Sequence, residues 1–143
     1  MSVSLGPRAV TDGLVEEVDV TGRVVHFEIP YDDPERAQAF YTEAFGWQLN
    51  HLPDMGYVLV TTGPSDQGPP SEPGFINGGM LERGLPVGSP VLVVDVEDID
   101  ASLAQVEQLG GTTVTAKQPV GDMGFSAYFK DPEGNLMGLW QNA

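Results

Sequence analysis

The chain repeats one order of features, and this repeat limits its fold more than any other property. In the first half, an apolar run at residues 25–29 precedes Asp33 and a helical stretch that ends at Gly46. In the second half, an apolar run at residues 90–94 precedes Asp98 and a helical stretch that ends at Gly110 and Gly111. Short apolar segments separated by glycine and proline complete each half. Because internal repeats mark repeated structural units, the sequence predicts an α+β fold of two βαβββ units. These units would form a curved mixed sheet with a central cavity.

The first helix has the strongest local signal. Asp33 is a good N-cap, Pro34 suits the first helical position, and Glu35 places negative charge in the first turn. The following residues form an apolar stripe at helical spacing that we expect to pack into the core: Ala37, Phe40, Tyr41, Ala44 and Phe45. Gly46 is expected to end the helix in a left-handed conformation.

Composition limits the class of protein and its partners. The chain has 143 residues, of which 41% are hydrophobic, so it can bury a core and is not a disordered chain. A net charge of −15 disfavours binding to nucleic acid or to an anionic membrane surface. No secretory signal is evident, and the absence of cysteine excludes disulfides and fits a reducing compartment. We therefore expect a cytoplasmic protein.

The expected organisation is a single domain after a short arm. Residues 1–22 have weak periodicity and are predicted to be a flexible arm or an accessory strand. The domain spans residues 23–143, with unit one at 23–83 and unit two at 88–142. Residues 112–115 are predicted as a strand and residues 117–124 as a loop, and the strand that ends unit one is predicted from Phe75 to Glu82.

Five segments, in this order and spacing, resemble the vicinal oxygen chelate superfamily, which includes glyoxalase I, bleomycin-resistance proteins and extradiol dioxygenases. They are residues 26–41 (HFEIPYDDPERAQAFY), 45–47 (FGW), 96–101 (VEDIDA), 109–111 (LGG) and 129–135 (FKDPEGN). The resemblance covers about residues 23–141 and implies the glyoxalase/bleomycin-resistance fold. It is greatest to small glyoxalase-like proteins that end in Gly-Leu-Trp-Gln.

The resemblance also implies where a metal would bind. In metal-dependent members, the first and last strands of each unit each supply a ligand. His26 occupies the position in the first strand of unit one, but Val91 occupies its counterpart in unit two. Gly138 stands where a glutamate is expected, and residues 76–79 contain no carboxylate or imidazole. Since a catalytic divalent site usually needs about three protein ligands, we predict no metal and no other cofactor. The alternative is a divalent metal held by His26, Glu28 and a third ligand from elsewhere.

His26 and Glu28 are the candidate catalytic residues. They lie two apart in one strand, so their side chains share a face of the sheet. One hypothesis makes His26 a ligand contact or general base that Glu28 orients. The other is that they form a hydrogen-bonded pair on a half-exposed strand.

Other residues could line a pocket between the units. The strand glycines Gly78, Gly79 and Gly138 either make room for a ligand or mark bulges that bend the sheet. Apolar and aromatic walls are typical of small-molecule pockets, although any one such residue could simply belong to the core. The candidate ligand-binding residues are Tyr57, Asn77, Met80, Met123, Phe125 and Trp140.

Four functions stay open. The first is a protein that binds a small apolar or aromatic molecule in the cavity without the full metal site. The second is a divalent-metal-dependent lyase, isomerase or dioxygenase, and the third is a metal-free enzyme with His26 or Glu28 as base. The fourth is an interaction protein that acts through its dimer interface. In each case we expect a homodimer, because symmetric dimers are the commonest oligomers.

Overall fold

The computed structural model describes residues 10–11, 14–15, 22–66 and 68–143. Strands β1 (Val10–Thr11) and β2 (Leu14–Val15) pair antiparallel as a small separate sheet. Both strands fall within the arm predicted at residues 1–22, and the rest of that arm up to residue 21 lies outside the described residues. Neither helix in the described part of the chain has the length and apolar content needed to cross a bilayer.

Two βαβββ units follow this small sheet. Unit one contains β3 (Val24–Tyr31), α1 (Pro34–Phe45), β4 (Gln48–Leu52), β5 (Tyr57–Thr61) and β6 (Gly78–Glu82), with a short 3₁₀ turn at Pro53–Met55. Unit two contains β7 (Val91–Asp95), α2 (Ile99–Gln108), β8 (Thr112–Val120), β9 (Gly124–Lys130) and β10 (Leu136–Asn142). The predicted α+β repeat is confirmed.

The eight strands of the two units build one mixed sheet in the order β4-β5-β6-β3-β7-β10-β9-β8. The units meet where β3 and β7 pair antiparallel. Within each unit the first and last strands pair in parallel, and the register is equivalent: Glu28 lies opposite Gly79, and Val93 lies opposite Gly138. The repeat seen in the sequence is thus a repeat in space.

The expected caps define both helices. The Asp33 carboxylate accepts a hydrogen bond from the backbone N–H of Arg36 at 3.1 Å, and the Asp98 carboxylate accepts one from Ala101 at 3.2 Å. Gly46 ends α1 with φ of 72°, a left-handed conformation that glycine adopts at little cost.

Each helix covers its own apolar core on the same face of the sheet. The core under α1 contains buried Tyr31, Val58, Val60 and Met80, with Ala37 and Tyr41 of the helix packed against it. The core under α2 contains Ile99, Leu103, Ala127 and Leu139. The paired residues Phe27 and Leu92 lie on this face, where Phe27 packs against the first core, and Val94 packs against the second core.

Three sequence predictions were wrong in detail. Strand β8 continues through Val120, because the segment predicted as a loop pairs with β9 after shifts in register. Strand β6 begins at Gly78 instead of Phe75, because residues 75–77 close the preceding loop. Phe40 is 59% exposed and Phe45 is 64% exposed, since α1 contacts the sheet through Ala37 and Tyr41.

Candidate functional site

The face of the sheet opposite the helices, which we call the helix-free face, carries both candidate catalytic residues. Glu28 shares this face with Gly79, its partner on β6, and His26 shares it with Val93 on β7. Val93 pairs in turn with Gly138, which pairs with Tyr128 on β9. Side chains from both units therefore project from this face at the seam between β3 and β7.

Glu28 is held by two phenols, one from each unit. The Tyr57 hydroxyl donates to Oε2 of Glu28 at 2.9 Å, and the Tyr128 hydroxyl donates to Oε1. Nε2 of His26 lies 2.7 Å from the Tyr57 hydroxyl. We call His26, Glu28, Tyr57 and Tyr128 the Glu28 cluster.

The hydrogen-bond directions define the state of His26. A phenol has one proton to donate, and the proton of Tyr57 goes to Glu28. The Tyr57 oxygen therefore accepts a hydrogen bond from Nε2–H of His26. This assigns the Nε2–H tautomer and leaves Nδ1 as the unprotonated nitrogen of the ring.

One of the two strand glycines beside the cluster is required sterically. A Cβ atom at Gly79 would overlap the hydroxyl and ring of Tyr57, so only glycine lets this side chain cross β6 toward Glu28. A Cβ atom at Gly138 would lie 3.6 Å from the Tyr128 ring and 3.0 Å from Cγ2 of Val93. The pairing register is continuous at Gly79 and Gly138, so neither glycine marks a bulge. The side chain that Gly79 makes room for is Tyr57 of the same chain.

The contact of Tyr128 with Glu28 also shows that the sheet bends. Three strand spacings separate β9 from β3, a distance of about 14 Å across a flat sheet. Because the two side chains span this gap, the sheet curves toward the helix-free face. The predicted curved sheet is confirmed.

Burial determines the charges of the cluster. It lowers the pKa of His26 to about 4, so the imidazole is neutral at neutral pH. Burial, with the negative charge of Glu28 and the hydrogen bond to it, raises the pKa values of Tyr57 and Tyr128 well above the usual value. Both phenols thus stay protonated, and the Glu28 carboxylate carries the charge of the cluster.

Two of the six candidate ligand-binding residues lie on the helix-free face, and a third lies in the turn before β9. Tyr57 is part of the Glu28 cluster. Trp140 lies two residues after Gly138 on β10 and pairs with Ser126, so it shares the face, and its Nε1–H donates to Asn142 at 2.8 Å. Met123 is 55% exposed in the turn before β9.

The other three are not brought to the cluster. Met80 follows Gly79 and so points to the opposite face, where it is fully buried under α1. Phe125 also points to the face opposite the cluster, because side chains alternate along β9, and it packs under α2. Asn77 fastens the loop before β6: it accepts from the Thr62 backbone at 2.8 Å and donates to Ser65 and to the carbonyl of Gly68.

Tyr128 is the site residue that the sequence analysis missed. Its alternation with Phe125 and Phe129, both of which pack under α2, places it on the other face. Its register opposite Gly138 is the signal that could have identified it, but that register depends on the pairing of β9 with β10.

The cluster does not fit the divalent metal implied by the family. Among the described residues, no group of three or more His, Asp or Glu side chains is placed to hold a metal ion. The cluster offers one imidazole and one carboxylate, and each carboxylate oxygen already accepts a hydrogen bond from a phenol. Val93 and Gly138, at the equivalent positions of unit two, have no ligating atoms in their side chains.

Two cavities lie elsewhere in unit one. One of about 490 Å³ is lined mainly by the loop after β5, from Thr61 to Ser65, together with Gly46 and Gln48. The other, of about 580 Å³, is a groove between α1 and β4. Neither is lined by a residue of the Glu28 cluster, so cavity size and the chemically distinctive residues do not coincide. We give more weight to the cluster, because its polar groups converge from both units.

Comparison with solved structures defines the class of fold. A glyoxalase/bleomycin resistance protein/dioxygenase superfamily member from Vibrio splendidus 12B01 matches with a TM-score of 0.56 and 20% identity, over 86% of this chain and 100% of that one. Methylmalonyl-CoA epimerase from Mycobacterium tuberculosis matches with a TM-score of 0.55 and 20% identity, over 83% and 87% of the two chains. The fold is the glyoxalase/bleomycin-resistance fold.

Sequence comparison identifies a matching family model and related proteins. Residues 23–63 match the model of the bleomycin resistance protein-like N-terminal family. The putative glyoxylase CFP32 of Mycobacterium bovis is 30% identical over 122 residues, which are 76% of this chain and 41% of that protein. The chain thus spans about two-fifths of the length of this relative. These matches support the resemblance to the vicinal oxygen chelate superfamily, and the solved structures show that the chain has the fold of that superfamily.

Proposed function

We propose that the protein binds a small molecule on the helix-free face, at the seam between its two units, without the metal chemistry of its family. The observation that carries this proposal is the position of Glu28. Its carboxylate is 8% exposed and is held by one phenol from each unit. Polar groups that converge from two units beside aromatic rings are typical of a binding site for a small ligand.

The aromatic side chains suggest where the ligand would lie. Tyr57, Tyr128 and Trp140 share the helix-free face, and Tyr57 stacks on the His26 ring with the centroids 6.3 Å apart. Flat, apolar ring faces favour a ligand with an apolar or aromatic body. Leu59, on the same face two residues from Tyr57, is 39% exposed and would extend this apolar surface.

The same geometry argues against the metal-dependent alternative. A metal would have to displace both phenols from Glu28 and recruit ligands that Gly79, Val93 and Gly138 cannot provide. Elemental analysis of the purified protein tests this directly. We expect substoichiometric Ni, Zn, Fe and Mn, and a melting temperature that EDTA does not change. One equivalent of metal that is lost in the His26→Ala variant would contradict the proposal.

Nuclear magnetic resonance can locate the ligand. We expect aromatic fragments to shift the backbone amides around Tyr128 and Trp140. Shifts restricted to Gln38 and Thr42 would instead place binding in the groove beside α1. The Trp140→Leu variant should weaken binding, whereas Phe40→Leu, which changes an exposed aromatic residue on α1, should not. Native mass spectrometry of the protein as purified would show whether a natural ligand copurifies.

One observation favours a second candidate, a metal-free enzyme. His26 donates a hydrogen bond to Tyr57, and Tyr57 donates one to Glu28. Nδ1 of His26 therefore carries no proton and can act as a base. Its pKa of about 4 makes it a weak base at neutral pH, which is why we rank this function second. Exchange of the acidic protons of a dicarbonyl compound in D₂O tests it. Exchange that persists unchanged in His26→Gln would eliminate His26 as the base.

The homodimer and the cytoplasmic location remain predictions from the sequence. Light scattering tests the first, because a homodimer would have twice the chain mass of 15.3 kDa.

A further inference from the structure

Glu28 is a buried carboxylate whose hydrogen-bond partners among the described residues are neutral. His26 is uncharged at neutral pH, and Tyr57 and Tyr128 keep their protons. The ion pairs among the described residues are Arg83 with Asp32 and Lys117 with Asp100, and neither includes Glu28. The negative charge at the seam between the units is therefore left without a partner cation in the described part of the chain.

An unpaired charge in this position is unusual. Buried charges in proteins are normally paired with an opposite charge or bound to a metal. Each carboxylate oxygen of Glu28 accepts one hydrogen bond from a phenol, but a neutral donor does not cancel a full negative charge. The donor set, as argued above, does not suit a divalent metal. What the cluster lacks is a monovalent cation that can lie beside aromatic rings.

We propose that the ligand of the helix-free face is an organic cation: a protonated amine, quaternary ammonium or guanidinium group on an apolar or aromatic body. This inference rests on the proposed binding function and names its ligand class. The positive group would lie against the rings of Tyr57 and Tyr128, with the charge of Glu28 behind them.

The aromatic rings suit such a ligand. A cation over the face of a tyrosine or tryptophan ring is attracted by the electrons of the ring, by about 0.5–2 kcal/mol depending on how far it is desolvated. A phenol that donates to a carboxylate gains electron density, which strengthens this attraction. The net charge of −15 adds a long-range attraction for cations and repels anions.

The positive group could come from the chain itself. Of the six Lys and Arg residues, only Arg8 lies outside the described residues. A guanidinium from this residue would supply the same chemistry as a ligand. The experiment therefore has to distinguish a free ligand from Arg8.

Three size-matched probes test the proposal: benzylamine, which is a cation at pH 7, benzyl alcohol, which is neutral, and benzoate, which is an anion. Binding is measured by titration calorimetry and by amide shifts around Tyr128 and Trp140, at 150 mM salt to screen the overall charge. We expect benzylamine to bind at least about tenfold more tightly than benzyl alcohol, a difference of about 1.4 kcal/mol. Benzoate should bind most weakly.

Two variants assign the preference to one residue. Glu28→Gln keeps the size of the side chain but removes its charge and turns one of its two acceptor oxygens into an amide donor. It should abolish the preference for benzylamine. Glu72→Gln removes one charge from an exposed loop residue and should leave the preference unchanged. If Glu28→Gln does not fold, the ranking of the three probes on the wild-type protein still decides the question.

The possible failures are distinguishable. If benzyl alcohol or benzoate binds at Tyr128 and Trp140 as tightly as benzylamine, the binding function stands and the cation inference is wrong. If the preference for benzylamine is missing in the wild type but appears in Arg8→Ala, the cation is Arg8 and the ligand is not cationic. If none of the probes binds on the helix-free face, both the inference and the proposed function fail.

Discussion

The Tyr128 hydroxyl, in the second repeat, donates a hydrogen bond to the Glu28 carboxylate, in the first repeat. The two residues are 100 positions apart in the chain. Their contact adds a side-chain link to the backbone pairing of β3 with β7. Because Tyr57 binds the other carboxylate oxygen, Glu28 is the point at which both units converge. We therefore expect the bond between Tyr128 and Glu28 to contribute to stability.

Replacing Tyr128 with phenylalanine should destabilise the protein. The change removes only the hydroxyl, but it leaves Oε1 of Glu28 buried without its donor. Loss of one partner of a buried polar group costs about 1–3 kcal/mol, and more when that group is charged. Urea denaturation would measure the loss in the free energy of unfolding.

The matched control is Tyr41→Phe, which keeps the stacking of this ring on Trp47 at 4.9 Å and leaves Glu28 untouched. We expect a change within about 0.5 kcal/mol, as for most replacements away from buried polar groups. Equal effects of the two replacements would show that the link between the units contributes nothing specific.

A methyl group at position 79 should displace Tyr57. The added Cβ of Gly79→Ala would overlap the hydroxyl and ring of Tyr57, so the side chain must leave Glu28 and His26. Steric strain and the lost hydrogen bonds together predict a loss of about 2–4 kcal/mol. Gly84→Ala is the control, because no atom lies within 4 Å of its Cβ position.

A double-variant cycle tests whether overlap with Tyr57 causes the loss of stability in Gly79→Ala. In a Tyr57→Ala background the overlap is gone, so Gly79→Ala should cost much less than it does in the wild type. An undiminished cost in that background would mean that the glycine is required for another reason, such as the conformation of β6.

The sequence predicted the fold well because the signals for it are local. Asp33 and Asp98 cap the helices, Gly46 ends the first, and the repeat of these features implies two equivalent units. The end of β8 was mispredicted for a non-local reason. Residues 117–120 have no strong strand pattern of their own and become a strand through pairing with β9.

The candidate site was only partly predictable. His26 and Glu28 were predicted as a pair because residues two apart in one strand have their side chains on the same face of the sheet. Met80 and Phe125 were predicted to line a pocket because apolar side chains are typical of pocket walls. Residue type does not show, however, on which face of the sheet a side chain lies. Tyr128 was missed because its contact with Glu28 depends on the order of four strands and on the curvature of the sheet.

The two methionines predicted to bind ligand should now behave differently. Met80 is fully buried under α1, so Met80→Ala should create a cavity and cost about 2–5 kcal/mol in the free energy of unfolding. Met123 is 55% exposed, so Met123→Ala should change stability by less than about 0.5 kcal/mol. Thermal and urea denaturation of both variants provide the comparison. Similar small effects would contradict the placement of Met80 in the core.

The buried imidazole of His26 should make stability depend on pH. The pKa of His26 is about 4 in the folded protein and 6.5 in the unfolded chain, so the unfolded chain binds the proton more readily. Stability from this residue is therefore complete above about pH 6.5 and falls as the pH drops toward 4. The shift corresponds to roughly 3 kcal/mol, at about 1.4 kcal/mol per pKa unit.

His26→Gln isolates this contribution, because glutamine does not titrate. We expect the free energy of unfolding of the wild type to fall more steeply than that of His26→Gln between pH 6.5 and pH 4. The carboxylates titrate in both proteins, so their effect cancels in the difference. His51→Gln, which removes an exposed histidine on β4, should follow the wild-type curve. Parallel curves for the wild type and His26→Gln would mean that His26 is accessible to protons in the folded protein, and the neutral imidazole assigned to the Glu28 cluster would be wrong.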